Sequence, residues 1–150
     1  MTREDFIKII DAKVKLIRNE FNYTQDKMAQ ILGISKKTLI QVEKGRSSLG
    51  WTTSVALCTL FKNSEIIEML FGGSVEDLLL TLAFDNYEEN FPKTLGGKVW
   101  WKHVEEKSGY KIQQNIISSH YRILDEKDRR ISSSFDLDYI EDQFKKLTSS

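Results

Sequence analysis

The stretch that decides the fold reads Thr24-Gln25-Asp26-Lys27-Met28-Ala29-Gln30-Ile31-Leu32-Gly33-Ile34-Ser35-Lys36-Lys37-Thr38-Leu39. Thr24 stands where its side chain caps the free amides of a short helix whose inward residues are Met28, Ala29 and Leu32. Gly33 suits the left-handed end of that helix. Ser35 supplies a second cap, and Leu39 and Val42 turn inward on a following helix. That helix stops at Lys44-Gly45, with a cation on the negative end of its dipole. The segment therefore predicts two short helices joined by a tight turn, with a small residue, Ala29, where they touch and polar residues at the start of the second.

Working outward, Phe6, Ile10, Val14, Ile17 and Phe21 recur at spacings of three and four, one face of a long amphipathic helix that stops near Asn22. On the other side, Arg46 to Gly50 reads as a loop. Thr52 or Thr53 caps a helix burying Leu57, Cys58 and Phe61, and Asn63 or Ser64 caps one carrying Ile67 and Leu70. Gly72-Gly73 closes the set of five helices. Ser74 and Asp77 stand at capping-box spacing and predict a sixth short helix to Phe84. Asp85 to Gly97 contains the only proline, Pro92, has no period, and reads as a linker.

Beyond it the chain favours strands: Val99 to Trp101 with Val104 to Glu106, a turn at Ser108-Gly109, Tyr110 to Ile117, His120 to Leu124, and Arg130 to Phe135 across the charged turn Asp125 to Asp128. Leu137, Ile140, Phe144 and Leu147 share one face of a terminal helix. The expected fold class is α+β. An all-α five-helix domain occupies residues 1–72, a short helix and linker 73–97, and a small antiparallel β-sheet with a terminal helix 98–150, the last module serving dimerisation or sensing.

The composition, 40% hydrophobic and 11% aromatic, suffices for a packed core and excludes wholesale disorder. No run approaches the roughly 20 apolar residues of a membrane span, and the N-terminus has no signal-peptide pattern. A lone Cys58 demands no oxidising compartment, so the expectation is a cytoplasmic, nucleoid-associated protein without membrane contact. The net charge of zero hides a split: residues 1–72 carry eleven Lys and Arg against eight Asp and Glu, and the remainder eleven against fourteen. The basic surplus lies with the two short helices.

Two helices of this kind form a helix-turn-helix, in which the first braces the second and the second offers its N-terminal side chains to base edges in the major groove. Over residues 13–71 the chain resembles the Cro/CI-like, or XRE, family of bacterial and phage DNA-binding proteins with the lambda-repressor-like fold. The resemblance rests on the Thr-Gln opening, Met28-Ala29 standing for the usual Leu-Ala, the turn Leu32-Gly33-Ile34-Ser35, and the close Val42-Glu43-Lys44-Gly45-Arg46. It implies that Gln25 contacts a backbone phosphate, and that Lys36, Lys37, Thr38 and Gln41, with Ser35 at the head of their helix, face the bases. Arg46 and Ser47, and the first-turn amides near Trp51 and Thr52, take further phosphates. Arg18 and Glu43 match a structural ion pair. Trp51 departs from the usual pattern, and two placements stay open for it: against the sugar-phosphate backbone or in the core.

Other residues have blander readings. Cys58 reads as a packed thiol. His103 and His120 lie on separate strands without metal-ligand spacing, and His103 with Glu105 and Glu106 lacks anything beyond the alternation of a strand, so neither a metal, a cofactor nor an enzymatic function is expected. Trp100 and Trp101 point to opposite faces of a strand, one available to the core and the other to a partner. The function expected is a transcriptional regulator, of the repressor kind, that binds a double-stranded operator as a homodimer, with a protein or small-molecule effector at the C-terminal module. The alternative is an antitoxin or phage-type accessory protein whose C-terminal module binds another protein while the N-terminal domain regulates its own operon.

Overall fold

The computed structural model describes residues 1–88 and 100–149. The elements are α1 (Arg3–Glu20), α2 (Gln25–Leu32), α3 (Lys36–Glu43), α4 (Gly50–Leu60), α5 (Glu65–Phe71), α6 (Val75–Phe84), β1 (Trp101–Lys107), β2 (Tyr110–Asn115), β3 (Tyr121–Leu124), β4 (Arg130–Ser134) and α7 (Leu137–Thr148). They fall into two compact units, Met1–Asn90 and Phe91–Ser150. The later part of the expected linker and the expected strand position at Val99 lie outside the described residues.

In the helical unit Phe6, Ile10, Val14 and Ile17 form the buried stripe of α1 and meet Met28, Leu39, Val42, Leu57 and Ile67. Packing continues past Gly72, because Val75 and Leu79 of α6 are buried in the same core and α6 rests on α4 and α5. Local chemistry sets most helix ends. Thr2 and Asp5 form a reciprocal capping box on α1, which starts earlier than its apolar stripe. Thr24 Oγ1 accepts from the Lys27 amide at 3.1 Å, and Ser35 Oγ from the Thr38 amide at 3.0 Å. Between these caps Gly33 takes φ +70°, and the Ile34 amide reaches back to the Ala29 carbonyl at 3.0 Å, closing α2 as a residue with a Cβ would not readily do.

Two helix starts differ from expectation. α4 begins at Gly50 with Leu49 at its cap position, and neither Thr52 nor Thr53 caps it. The Leu49 amide instead donates to Asp11 Oδ1 of α1 at 2.8 Å, so the helix start is fixed from 38 residues away. Ser74 occupies the cap position of α6, but its side chain makes no capping bond, and the box with Asp77 is not formed. At α5, Ser64 caps as expected. Its hydroxyl also donates to the Glu20 carboxylate, which accepts the Glu65 amide at 2.8 Å.

The second unit is a four-stranded antiparallel meander in the order β1-β2-β3-β4. Ser108 and Gly109, both at positive φ, make the tight turn between β1 and β2. Ile112 pairs with Ile123 across β2 and β3, and these two meet Ile140 and Phe144 of α7 to form the core of the unit. Asp136 Oδ1 caps α7 by accepting the Asp138 and Tyr139 amides. On the opposite sheet face the Arg122 guanidinium lies 3.5 Å from the Trp101 ring centroid and donates through Nε and Nη2 to Gln113 Oε1. Neither tryptophan enters the core backed by α7: Trp101 lies beneath Arg122 with the His120 ring at its edge, and Trp100 is 47% exposed.

Candidate nucleic-acid interface

The second short helix, α3, is anchored on one side and open on the other. Leu39 and Val42 are buried, whereas Lys36, Lys37 and Lys44 are exposed and Thr38 and Gln41 half-buried. At spacings of four and three, Lys37, Gln41 and Lys44 form one row on the helix surface. Among the described residues neither the Lys37 ammonium nor the Gln41 amide has a hydrogen-bond or ion-pair partner. Lysine suits guanine O6 and N7, and glutamine suits adenine.

The other expected base-facing residues have internal partners. Ser35 Oγ donates to Thr38 Oγ1 at 2.8 Å while accepting the Thr38 amide, so the two hydroxyls hold each other at the start of the helix. Lys36 Nζ pairs with Asp26 Oδ2 of α2 at 3.1 Å, in the open, with the two side chains 51% and 72% exposed. Asp26 was missed in the sequence because its partner lies ten positions away, across the turn. An exposed pair of this kind contributes about 0 to 1 kcal/mol, weak enough for Lys36 to exchange partners.

Behind α3 the expected ion pair is present. Arg18 Nε and Nη2 both reach Glu43 Oε1, at 2.8 and 2.7 Å, and Arg18 Nη1 donates to the Tyr23 carbonyl at 3.0 Å. The second carboxylate oxygen, Glu43 Oε2, accepts from Gln25 Nε2 at 2.8 Å. Gln25 is therefore tied into the brace, a contact between positions 18 residues apart that sequence reasoning did not supply. It is the first residue of α2, where the backbone amides lack intrahelical acceptors and carry the positive end of the helix dipole.

Arg46 and Ser47 follow Gly45, whose φ of +73° turns the chain away from α3. Both are exposed, and among the described residues the Arg46 guanidinium has no hydrogen-bond or ion-pair partner. Of the two placements open to Trp51, the fold adopts the core: its ring stands edge-on to Phe6 at 5.9 Å, with the Arg3 guanidinium 4.4 Å from its centroid. The Trp51 ring is half-buried, packed against the core that α1 lines, which covers much of its large apolar surface. Thr52 stays exposed on the first turn of α4. No side chain caps that turn from the cap position, although the Gly50 amide donates to Ser48 Oγ at 3.0 Å.

Cys58 is fully buried, and burial pushes its thiol up to about 12, which leaves it uncharged and unreactive at neutral pH. Among the described residues no three His, Cys, Asp or Glu side chains are grouped to hold a metal ion, and no helix is long and apolar enough to cross a membrane.

Residues 14–65 match the family model described as helix-turn-helix. No curated protein and no solved structure matches the chain. The matched segment holds both short helices, the Arg18–Glu43 brace, the exposed row on α3 and the loop carrying Arg46. Residues 14–65 are therefore a helix-turn-helix DNA-binding domain of the Cro/CI-like, or XRE, type.

Proposed function

We propose that the chain is a sequence-specific transcriptional regulator that binds double-stranded operator DNA as a homodimer, with α3 in the major groove. One observation carries this reading. A helix anchored by Leu39 and Val42, and braced through Glu43, presents Lys37 and Gln41 outward with their polar ends unpaired. Lys37 and Gln41 read base edges, Lys36 joins them by leaving Asp26, and Ser35 and Thr38 set the start of the helix. Gln25, Arg46, Ser47 and the first-turn amide of Thr52 take phosphates, which fixes the register of α3 without reading sequence.

One domain covers a half-site, so two-fold pairing supplies the second. The sheet unit supports self-association, because it leaves Ile117 73% and Phe135 76% exposed. Co-purification with a different protein in place of a second copy moves the reading to an antitoxin or accessory factor that regulates its own operon.

Selection of bound duplexes from a random library, followed by footprinting, tests the proposal. It should yield two half-sites about 34 to 36 Å apart, one helical turn. On the selected site Lys37→Ala costs about 1 to 3 kcal/mol and relaxes the preference at one position. Arg46→Ala weakens selected and random DNA alike and reduces the salt slope by about 1. Equal losses on both DNAs for both variants would remove the base-reading role of α3.

A further inference from the structure

We infer that Glu43 is a positioning residue for the phosphate grip: it holds the side-chain amide of Gln25 so that a hydrogen-bond donor faces the DNA backbone. The inference rests on the reading that Gln25 contacts phosphate. The Glu43 side chain is only 4% exposed, and its two oxygens serve different partners. Oε1 takes both Arg18 contacts, at 2.8 and 2.7 Å, and with Arg18 Nη1 on the Tyr23 carbonyl this set already ties α1 to the end of α3. Oε2 is left for Gln25 Nε2 at 2.8 Å.

The Gln25 contact acts on α2. A glutamine amide has an acceptor oxygen on one side and an NH2 group on the other, and a carboxylate tolerates only the NH2 group against it. With one hydrogen of Nε2 on Glu43, the planar NH2 group directs its second hydrogen away from the carboxylate. The flipped amide would present Oε1 to Glu43 and be repelled. The negative charge of Glu43 thus selects the amide orientation that retains a donor for a second anion. Arg18 meanwhile neutralises Glu43, so the buried charge does not itself repel the backbone. A glutamine without this tether would surrender its rotamer freedom on binding, a difference of roughly 2- to 10-fold in affinity.

The test is a double-mutant cycle on the full chain, binding a random-sequence duplex long enough for two half-sites at low salt, with affinity expressed per folded molecule. Gln25→Ala and Glu43→Gln should each weaken binding roughly 2- to 10-fold, and the double substitution should bind no worse than Gln25→Ala alone. If Glu43→Gln causes the same loss in the Gln25→Ala background as in the wild type, Glu43 is a fold brace only: the inference is overturned while the phosphate reading stands. If Gln25→Ala binds as tightly as wild type, the phosphate reading itself fails and takes the inference with it. Should Glu43→Gln not fold, the Gln25 side-chain NMR signals of the wild-type chain decide. One Nε2 proton should resist solvent exchange in the free protein, and the other should shift when duplex is added. Two Nε2 protons that exchange equally fast with solvent, neither shifting when duplex is added, overturn the inference.

Discussion

The two units of this chain are built on different margins. Among the described residues, the helical unit gathers sixteen buried apolar residues from six helices and the positions flanking α4, whereas the core of the sheet unit consists of Ile112, Ile123, Ile140 and Phe144. Each fully buried side chain of this size stabilises by about 1.5 to 3 kcal/mol, so the loss of one is a small fraction of the first core and a large fraction of the second. A small two-layer unit gains at most about 3 to 5 kcal/mol net from its core. The exposed row of α3 therefore sits on the robust unit, and the exposed Ile117 and Phe135 on the marginal one.

Phe144→Ala should give the largest effect. Truncating a buried phenylalanine costs about 3 to 5 kcal/mol, comparable to the whole margin of the sheet unit. The expected outcome is loss of the sheet unit with the melting of the helical unit unchanged. The tryptophans separate the two, since Trp101 reports on the sheet unit and Trp51 on the helical core. A single transition in which Trp51 and Trp101 respond together would break the comparison and make the chain one cooperative block.

Asp11→Ala probes the helical side with a smaller effect. It leaves the amide of the buried Leu49 without its acceptor, at a cost of about 1 to 3 kcal/mol, and should unwind the first turn of α4 while α2 and α3 persist. Hydrogen exchange at Trp51 and Thr52 reads the result. Unchanged protection there would mean that α4 does not depend on α1 for its start.

That contact also marks the limit of what the sequence discloses. The segment from Thr24 to Val42 is legible because its determinants are local: Thr24 and Ser35 cap amides three positions on, and Gly33 ends α2 where it stands. The strands are legible because aromatic and β-branched residues gather in them, Tyr110 and Ile112 in β2 and Tyr121 and Ile123 in β3. Where a helix end depends on a distant group, as with Asp11 at Leu49, no neighbouring residue carries the signal, and Thr52 and Thr53 look like caps without serving as such. The candidate site divides the same way. That Lys37 and Gln41 lie off the buried side of α3 follows from helical period, but the Gln25 bond to Glu43 and the Lys36 bond to Asp26 exist only once α2 and α3 cross. Trp51 had two destinations because one large amphipathic ring suits both, and the proximity of Phe6 and Arg3 decides between them.

The smallest effect expected is one of pH, and it sharpens the contrast at the turn between β3 and β4. Asp125 is buried there, with Oδ1 accepting the Lys127 and Arg129 amides at 2.9 Å and Oδ2 accepting Arg129 Nε at 2.8 Å. The Arg129 amide above all, with help from the Arg129 side chain and the Lys127 amide, holds its carboxyl below the ordinary carboxylate value of 3.8. A carboxyl whose pKa is lowered by folding stabilises fully above its unfolded value and loses that contribution as pH falls through the lowered one. The turn should therefore be indifferent to pH from neutrality down to about 4, and loosen only below. Asp5 is lowered in the same sense by Thr2, yet its protonation frays only the first turn of α1, whose buried stripe begins beyond it at Phe6. Acid should thus expose the Lys127 and Arg129 amides to exchange before those of α3. Asn at position 125 keeps an acceptor for the two amides but does not titrate, so Asp125→Asn should remove the acid step while leaving the turn folded; an acid step of unchanged size in that variant would assign it to another carboxylate.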